Sequence, residues 1–248
     1  MPHPVLFVGA GPGAAEYLTL GALRAIEGAD VVIHDRLVGP EVMALVPPAA
    51  RLVDVGKEGF GPSAAQGAIC AALVAHAMTG ARVVRLKGGD CGIFGRLDEE
   101  IEALEAAALP FRILPGLTSA TVAAARIGQS LTRRGRNAAL RIVTGHDMAG
   151  FAEQDWRGMA RAGEVAAIYM GRKSARFIQG RLMMHGADPA TPVTVVANVS
   201  RADETVTGAT LSRLPEAVAA ADGPAVILFG LAPRDAQAAL ADVQEARA

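Results

Sequence analysis

The chain has 248 residues, 51% hydrophobic and 20% charged, which supplies a core for one large domain or two smaller ones. Its formal net charge of -1 and sequence pI of about 6.5 exclude the bulk positive field that drives nonspecific nucleic-acid binding. Two cysteines, Cys70 and Cys91, are too few and too widely spaced for a zinc ribbon or a disulfide scaffold.

Val5 to Val8 is a short β-favouring run ending in Gly9, and Tyr17 to Ala29 carries apolar residues at helical spacing. The pattern strand, turn, helix recurs. Strands are predicted at Val31 to Ile33, Arg51 to Val55, Val83 to Leu86 and Phe111 to Leu114, with helices at Pro40 to Val46, Ala64 to Met78 and Asp98 to Ala107. This alternation predicts βαβ crossovers and a mainly parallel sheet. Beyond Pro115-Gly116 the reading continues with a helix over Thr118 to Ile127 and a polar connection at Arg133 to Arg136. Strands follow at Leu140 to Val143, Val165 to Tyr169, Val193 to Val196 and Val226 to Phe229, with helices near Lys173 to His185 and Leu214 to Ala221. Thr205 to Leu211 alternates in the manner of an antiparallel strand, and the tail from Arg234 reads as a terminal helix. The expectation is an α/β protein of two domains, 1–115 and 116–248, with mainly parallel sheets and a ligand cleft between them.

The opening MPHPVLFVGAGPGA lacks the charged leader, long apolar core and cleavage site of an export signal. Charge, Gly or Pro interrupts every apolar run within about 18 residues, so no transmembrane helix is predicted. A globular protein of the reducing cytoplasm is expected, with neither nucleic acid nor membrane as partner.

Gly9-Ala10-Gly11-Pro12-Gly13-Ala14 lies between a strand and a helix and matches GxGxxA, the turn that lets backbone approach a dinucleotide pyrophosphate. Asp35, after the second strand, would then hold a ribose. Pro12 opposes that reading, because it removes one backbone donor from the turn. A tight turn that needs glycine explains the same residues. The second constellation, Lys87-Gly88-Gly89-Asp90-Cys91-Gly92-Ile93-Phe94-Gly95-Arg96, is longer than a bare strand-to-helix connection requires. Its length and its four glycines predict a binding loop at the carboxyl end of a strand.

Nine blocks in order carry a family resemblance: VGAGPG, HDRLV from His34, VGK ending at Lys57, VVRLKGGD from Val83, IFGR from Ile93, PGLTSA from Pro115, SLTRRG from Ser130, TGH from Thr144 and YMG from Tyr169. Together they resemble uroporphyrinogen-III C-methyltransferases over about Val5 to Gly230. The resemblance implies the tetrapyrrole methylase fold, S-adenosyl-L-methionine (SAM) as methyl donor, a tetrapyrrole substrate and a homodimer. It assigns donor binding to Pro12, Gly88, Gly89, Asp90, Ile93, Thr118, Ser119 and Met170. It makes Asp35 the proton acceptor and Lys57 the proton donor.

These residue types suit the work. Gly88 and Gly89 admit close backbone approach, Asp90 accepts from hydroxyl or amino groups, and Ile93 and Met170 offer apolar surface. Methylation of a pyrrole carbon builds positive charge on the ring, which a carboxylate at Asp35 favours before taking the released proton. A lysine donates well only where its site lowers its pKa or the intermediate is strongly basic. The substrate's carboxylates call for fixed cations, and Arg36, Arg96 and Arg133, with Arg134 and Arg136 beside it, stand in or next to the matched blocks. His146 would be a polar lining residue.

Departures from the family pattern bear on the substrate. GGDCGIFGRLDEE stands where GGDPFIFGRGGEE is usual, Arg133 replaces the histidine of LTHR, Glu58 follows Lys57 in place of Arg, and Ala197-Asn198-Val199-Ser200 replaces an ENGT-like turn. The implied activity is successive methylation of uroporphyrinogen III to precorrin-2 for sirohaem or cobalamin. The rivals are a paralogue acting on another precorrin, a noncatalytic SAM-binding regulator, a methyltransferase of RNA or protein, and a nicotinamide-dependent reductase.

Overall fold

The apolar runs become strands in the computed structural model, which describes residues 3–56 and 64–235. In the unit Met1–Ser119 the elements alternate: β1 (Val5–Gly9), α1 (Leu20–Glu27), β2 (Val31–His34), α2 (Pro40–Met43), β3 (Arg51–Asp54), α3 (Ala64–Met78), β4 (Val83–Lys87), α4 (Leu97–Ala106) and β5 (Phe111–Leu114). The helix expected over Tyr17 to Ala29 is shorter, Leu20–Glu27. A short 3-10 turn covers Ala15–Tyr17, and α1 begins only after Thr19, whose side chain accepts the Ala22 N–H at 3.1 Å as an N-cap.

The five strands lie in the order β3-β2-β4-β1-β5, and every pair is parallel. Alternation divides their side chains between two layers. Val8, Val32, Val84 and Leu86 pack against Ala22, Ala25 and Ile26 of α1. Val5, Phe7, Ile33 and Val83 pack on the other face against Leu73 and Ala77 of α3 and Leu104 of α4. Phe7, fully buried and edge-on to Phe111, contributes about 1.5–3 kcal/mol by burial of the side chain. All five residues of β4 are buried, as a central parallel strand requires. The connection from β1 covers one face and the connection from β4 the other. Their loops therefore mark the place at the carboxyl ends where open α/β sheets bind ligands.

The unit Ala120–Ala248 is built differently. Helix α5 (Ser119–Arg126) opens it, followed by β6 (Arg141–Thr144), the two-residue strands β7 (His146–Asp147) and β8 (Gly150–Phe151), α6 (Trp156–Met159), β9 (Ala166–Tyr169), α7 (Ala175–Met184), β10 (Pro192–Ala197), β11 (Thr205–Thr210), α8 (Leu214–Ala219) and β12 (Ala225–Phe229). Its main sheet has the order β11-β10-β12-β9-β6. Only β6 and β9 pair in parallel, and the other three pairs are antiparallel, which corrects the expectation of a second mainly parallel sheet.

The physical reason is one hairpin. Residues 198–204 join β10 to β11, too short a link for a crossover, so the chain reverses there. Strands joined through helices still run the same way. The reversed pair interleaves with the earlier ones, β12 inserting between β9 and β10. The core gathers Ile168, Ile178, Leu182, Val195, Leu214 and Ile227 around Trp156. The tail beyond Asp235, expected as a helix, lies outside the described residues. Among those described, no helix is long and apolar enough to cross a membrane.

Candidate active site

Three glycine turns meet at the carboxyl ends of β1, β4 and β5. The Gly11 N–H donates to the Gly89 carbonyl at 3.1 Å, and the Gly89 N–H to the Gly11 carbonyl at 2.7 Å. A Cβ at Gly9 would lie 2.5 Å from the Gly116 backbone nitrogen, so only glycine allows the approach. Gly89 differs from both. Its φ is +72°, and a Cβ there would meet nothing within 4 Å. Bare backbone thus faces open space at the edge of the cluster, a cradle that a ligand can fill and a side chain would obstruct.

Asp90 braces this arrangement. Its Oδ2 accepts the Gly116 N–H at 2.9 Å and its Oδ1 the Gly92 N–H at 2.8 Å. The sequence assigns Asp90 to a ligand; here it first fastens two loops together, and each oxygen retains a further lone pair for a ligand donor. Pro12 is buried beside Gly11, and Ile93, Thr118 and Ser119 are half-buried, the last as the first residue of α5. In the same loop Phe94 and Arg96 hold φ of 52° and 53°. Left-handed backbone at a non-glycine residue costs about 1 kcal/mol or more, and such strain concentrates at ligand sites.

Arg96 is engaged by its own helix, through two bonds of 2.7 Å to Glu99 that hold the Glu99 carboxyl below its ordinary value. Cys91, at the position where a proline is usual, is fully buried, and burial pushes its thiol up to about 12. It is an uncharged packing residue.

Asp35 follows β2 at the same end of the sheet. Its Oδ1 accepts the Leu37 N–H at 3.0 Å, while its Oδ2 stands 3.9 Å from Nη1 of Arg85. A Cβ at Gly88 would come within 2.7 Å of the Leu37 Cβ, so the loops after β2 and β4 touch. Arg36 is exposed and its stem lies against Gly56. Lys57 lies outside the described residues.

Beneath these loops is a charged cluster that the sequence reading did not single out. Arg85 and Lys87 are each 3% exposed and Glu100 is 1% exposed. Glu100 Oε2 accepts from Arg85 Nε at 3.1 Å, and its Oε1 accepts from Arg85 Nη2 at 3.0 Å, Lys87 Nζ at 2.9 Å and Gln66 Nε2 at 3.3 Å. Burial, and then the neighbouring Arg85, lower the pKa of Lys87 against the opposing pull of Glu100. The signal was present in the strand: residues 85 and 87 are cations two apart on one face of an otherwise apolar run, and buried cations require a carboxylate.

The second unit brings two further predicted residues together. Thr144 pairs with Tyr169 in the parallel β6–β9 ladder, and the Gly145 N–H donates to the Tyr169 carbonyl at 2.7 Å. His146 and Met170 therefore follow neighbouring strands at their carboxyl ends. Met170 is 42% exposed with φ of 52°, and the Tyr169 hydroxyl accepts the Ala120 N–H at 3.0 Å. Arg133 is exposed on a separate turn, its N–H donating to Asn137 Oδ1 at 3.2 Å. Among the described residues no group of His, Cys, Asp or Glu is arranged to hold a metal ion.

Comparison with known proteins gives this geometry a family. The sequence pattern of the Tetrapyrrole (Corrin/Porphyrin) Methylases matches residues 4–215. A siroheme synthase of Edwardsiella ictaluri is 43% identical over 226 residues, 91% of this chain and 49% of that protein. A siroheme synthase of Aeromonas hydrophila is 42% identical over the same share of this chain. The chain thus spans about half the length of the curated relatives it matches. The uroporphyrin-III C-methyl transferase of Thermus thermophilus, solved with S-adenyl homocysteine, superposes with a TM-score of 0.78 at 35% identity, covering 92% of this chain and 97% of that one. A cobalt precorrin-4 methyltransferase superposes with a TM-score of 0.81 at 23% identity over 92% of this chain and 94% of that one, a likeness of fold.

Proposed function

The chain belongs to the tetrapyrrole (corrin/porphyrin) methylases, and from that membership we propose that it transfers methyl groups from SAM to ring carbons of uroporphyrinogen III, giving precorrin-2 for sirohaem or cobalamin synthesis. The observation that carries the proposal is the meeting of Gly9, Gly89 and Gly116 at the carboxyl ends of parallel strands, with Asp35 following β2 at the same end and the loops after β2 and β4 touching at Leu37 and Gly88. Bound SAM supplies an electrophilic methyl on a sulfonium. The open cradle at Gly89 fits such a donor, with backbone at its edge and half-buried Ile93 in the same loop.

Asp35 is the proton acceptor in this reading. As the pyrrole carbon forms its new bond to methyl, the ring system gains positive charge. A carboxylate nearby favours that charge and then takes the released proton. Its Oδ1 already accepts the Leu37 N–H, which favours Oδ2 as the oxygen that receives it. Lys57 keeps the donor role implied by the family resemblance. Arg36, Arg96 and Arg133 are proposed to meet the substrate's carboxylates, Arg96 by giving up part of its pairing with Glu99. Met170 keeps the donor-binding role and His146 the substrate-lining role given to them by the family resemblance. A homodimer in the cytoplasm completes the reading, and the two free cysteines suit a reducing compartment.

Incubation with labelled SAM and uroporphyrinogen III should yield a dimethylated product by mass spectrometry. Absence of turnover, together with turnover of a later precorrin, sinks the substrate assignment. That outcome is the second reading, a paralogue for another precorrin. It draws support from buried Cys91 and exposed Gly92, which leave the loop without the aromatic side chain usual there.

A further inference from the structure

We infer that Arg85 is the positioning residue of Asp35: anchored by Glu100, it aims one guanidinium nitrogen at the carboxylate that accepts the substrate proton. The inference rests on the methyltransferase reading and deepens it. Arg85 has no freedom of its own. Glu100 holds Nε and Nη2 side-on at 3.1 and 3.0 Å, and the third nitrogen, Nη1, donates to the Leu86 carbonyl at 3.1 Å. That same Nη1 faces Asp35 Oδ2 at 3.9 Å.

Two features make this more than a strut. First, the cluster is unbalanced. Arg85 and Lys87 share one buried carboxylate, Glu100, whose Oε1 accepts from both. The uncompensated positive charge lies near Asp35, whose Oδ2 is 3.9 Å from Arg85 Nη1 and whose charge acts on Lys87 as well. Second, the Leu37 N–H fixes only Oδ1, so the turn leaves the direction of Oδ2 to the cation. At 3.9 Å the contact is a charge interaction and not a hydrogen bond, so the lone pairs of Oδ2 stay available for a proton. A guanidinium bonded through two N–H groups to Asp35 would instead have occupied the base.

A purely structural cluster is the competing account. Burying three charges is costly, and well-packed apolar residues would join β4 to α4 at least as firmly. The side-on anchor has a clear use if its product is a cation held still beneath Asp35.

A double-mutant cycle separates the two accounts, with turnover measured under single-turnover conditions using labelled methyl donor so that slow variants remain measurable. Arg85→Met should lower kcat about tenfold or more, with KM for SAM within about twofold of wild type. In an Asp35→Asn background the same substitution should change kcat less than about twofold, because its target is already gone. Losses that multiply, or wild-type kcat in Arg85→Met, overturn the inference. Full turnover in Asp35→Asn alone sinks the proton-acceptor reading itself, a result distinct from multiplying losses. Arg85→Lys provides the same cycle if the Met variant does not fold. It keeps a charge for Glu100 but lacks the fork, so it should lose kcat in the wild-type background and not in Asp35→Asn. Binding of S-adenosyl homocysteine by calorimetry should be equal in all these variants.

Discussion

Asp90 fastens the loop after β4 to the turn after β5, its Oδ2 accepting the Gly116 N–H at 2.9 Å while its Oδ1 holds Gly92 within the loop. Removing the carboxylate leaves the part-buried Gly116 N–H and the exposed Gly92 N–H without it. Asp90→Ala should therefore cost about 1–3 kcal/mol in urea unfolding and weaken binding of S-adenosyl homocysteine. Asp90→Asn keeps one acceptor and turns a donor toward the other N–H, so it should fall between. An Asp90→Ala protein with wild-type stability and affinity would remove the bracing role.

Glu100 answers two buried cations, which makes its loss costlier than loss of a surface pair. Glu100→Ala should destabilise the fold by about 3–5 kcal/mol, because Arg85 and Lys87 are left without their shared carboxylate. The triple change Glu100→Met, Arg85→Met, Lys87→Met should recover most of that stability, since it removes the desolvation cost together with the attraction. Chemical denaturation measures both. A triple variant less stable than Glu100→Ala would make the cluster a source of stability and weaken the case for a positioning role.

The first sheet was legible because each strand is a short apolar run bounded by turn residues and joined to the next through a helix-containing connection of crossover length. The second sheet was legible strand by strand and not in its pairing. A helix between β9 and β10 fixes their common direction, but nothing local tells that β12 will insert between them. The β7–β8 hairpin and α6 escaped because two-residue strands and a single helical turn carry no measurable periodicity. Asp98-Glu99-Glu100 was read as the acidic start of a helix, which it is. Its third member turns inward to Arg85 and Lys87, and that requires β4 to lie beside α4, a tertiary fact.

Acid stability offers a test at a single exposed pair. Asp30 accepts from the Arg82 guanidinium at 2.6 and 3.1 Å and from its backbone N–H at 2.8 Å, contacts that pull its carboxyl down to about 2 from an ordinary 3.8. A carboxyl lowered by folding contributes stability above its unfolded pKa and loses it as pH falls through the folded value. Asp30→Asn should therefore be less stable than wild type at neutral pH, with the gap closing near pH 2. Urea midpoints across the acid range check this, and a gap independent of pH would assign the effect to something other than the carboxylate.

Met170 separates strain kept for the fold from strain kept for a ligand. Its φ of 52° is disfavoured by about 1 kcal/mol in an L-residue, and at 42% exposure it gives little burial in return. Glycine relieves the strain while adding a similar cost in chain entropy, so Met170→Gly should leave unfolding stability within about 1 kcal/mol of wild type. If the thioether packs on the methyl donor, the same variant should lose about fivefold or more in affinity for S-adenosyl homocysteine. Met170→Val tests the backbone alone, because a β-branched side chain at positive φ should destabilise the unit well beyond the glycine variant. Unchanged affinity in Met170→Gly would take Met170 out of the donor site and leave its backbone without a use, whereas reduced affinity at constant stability is a result that packing within the fold cannot produce.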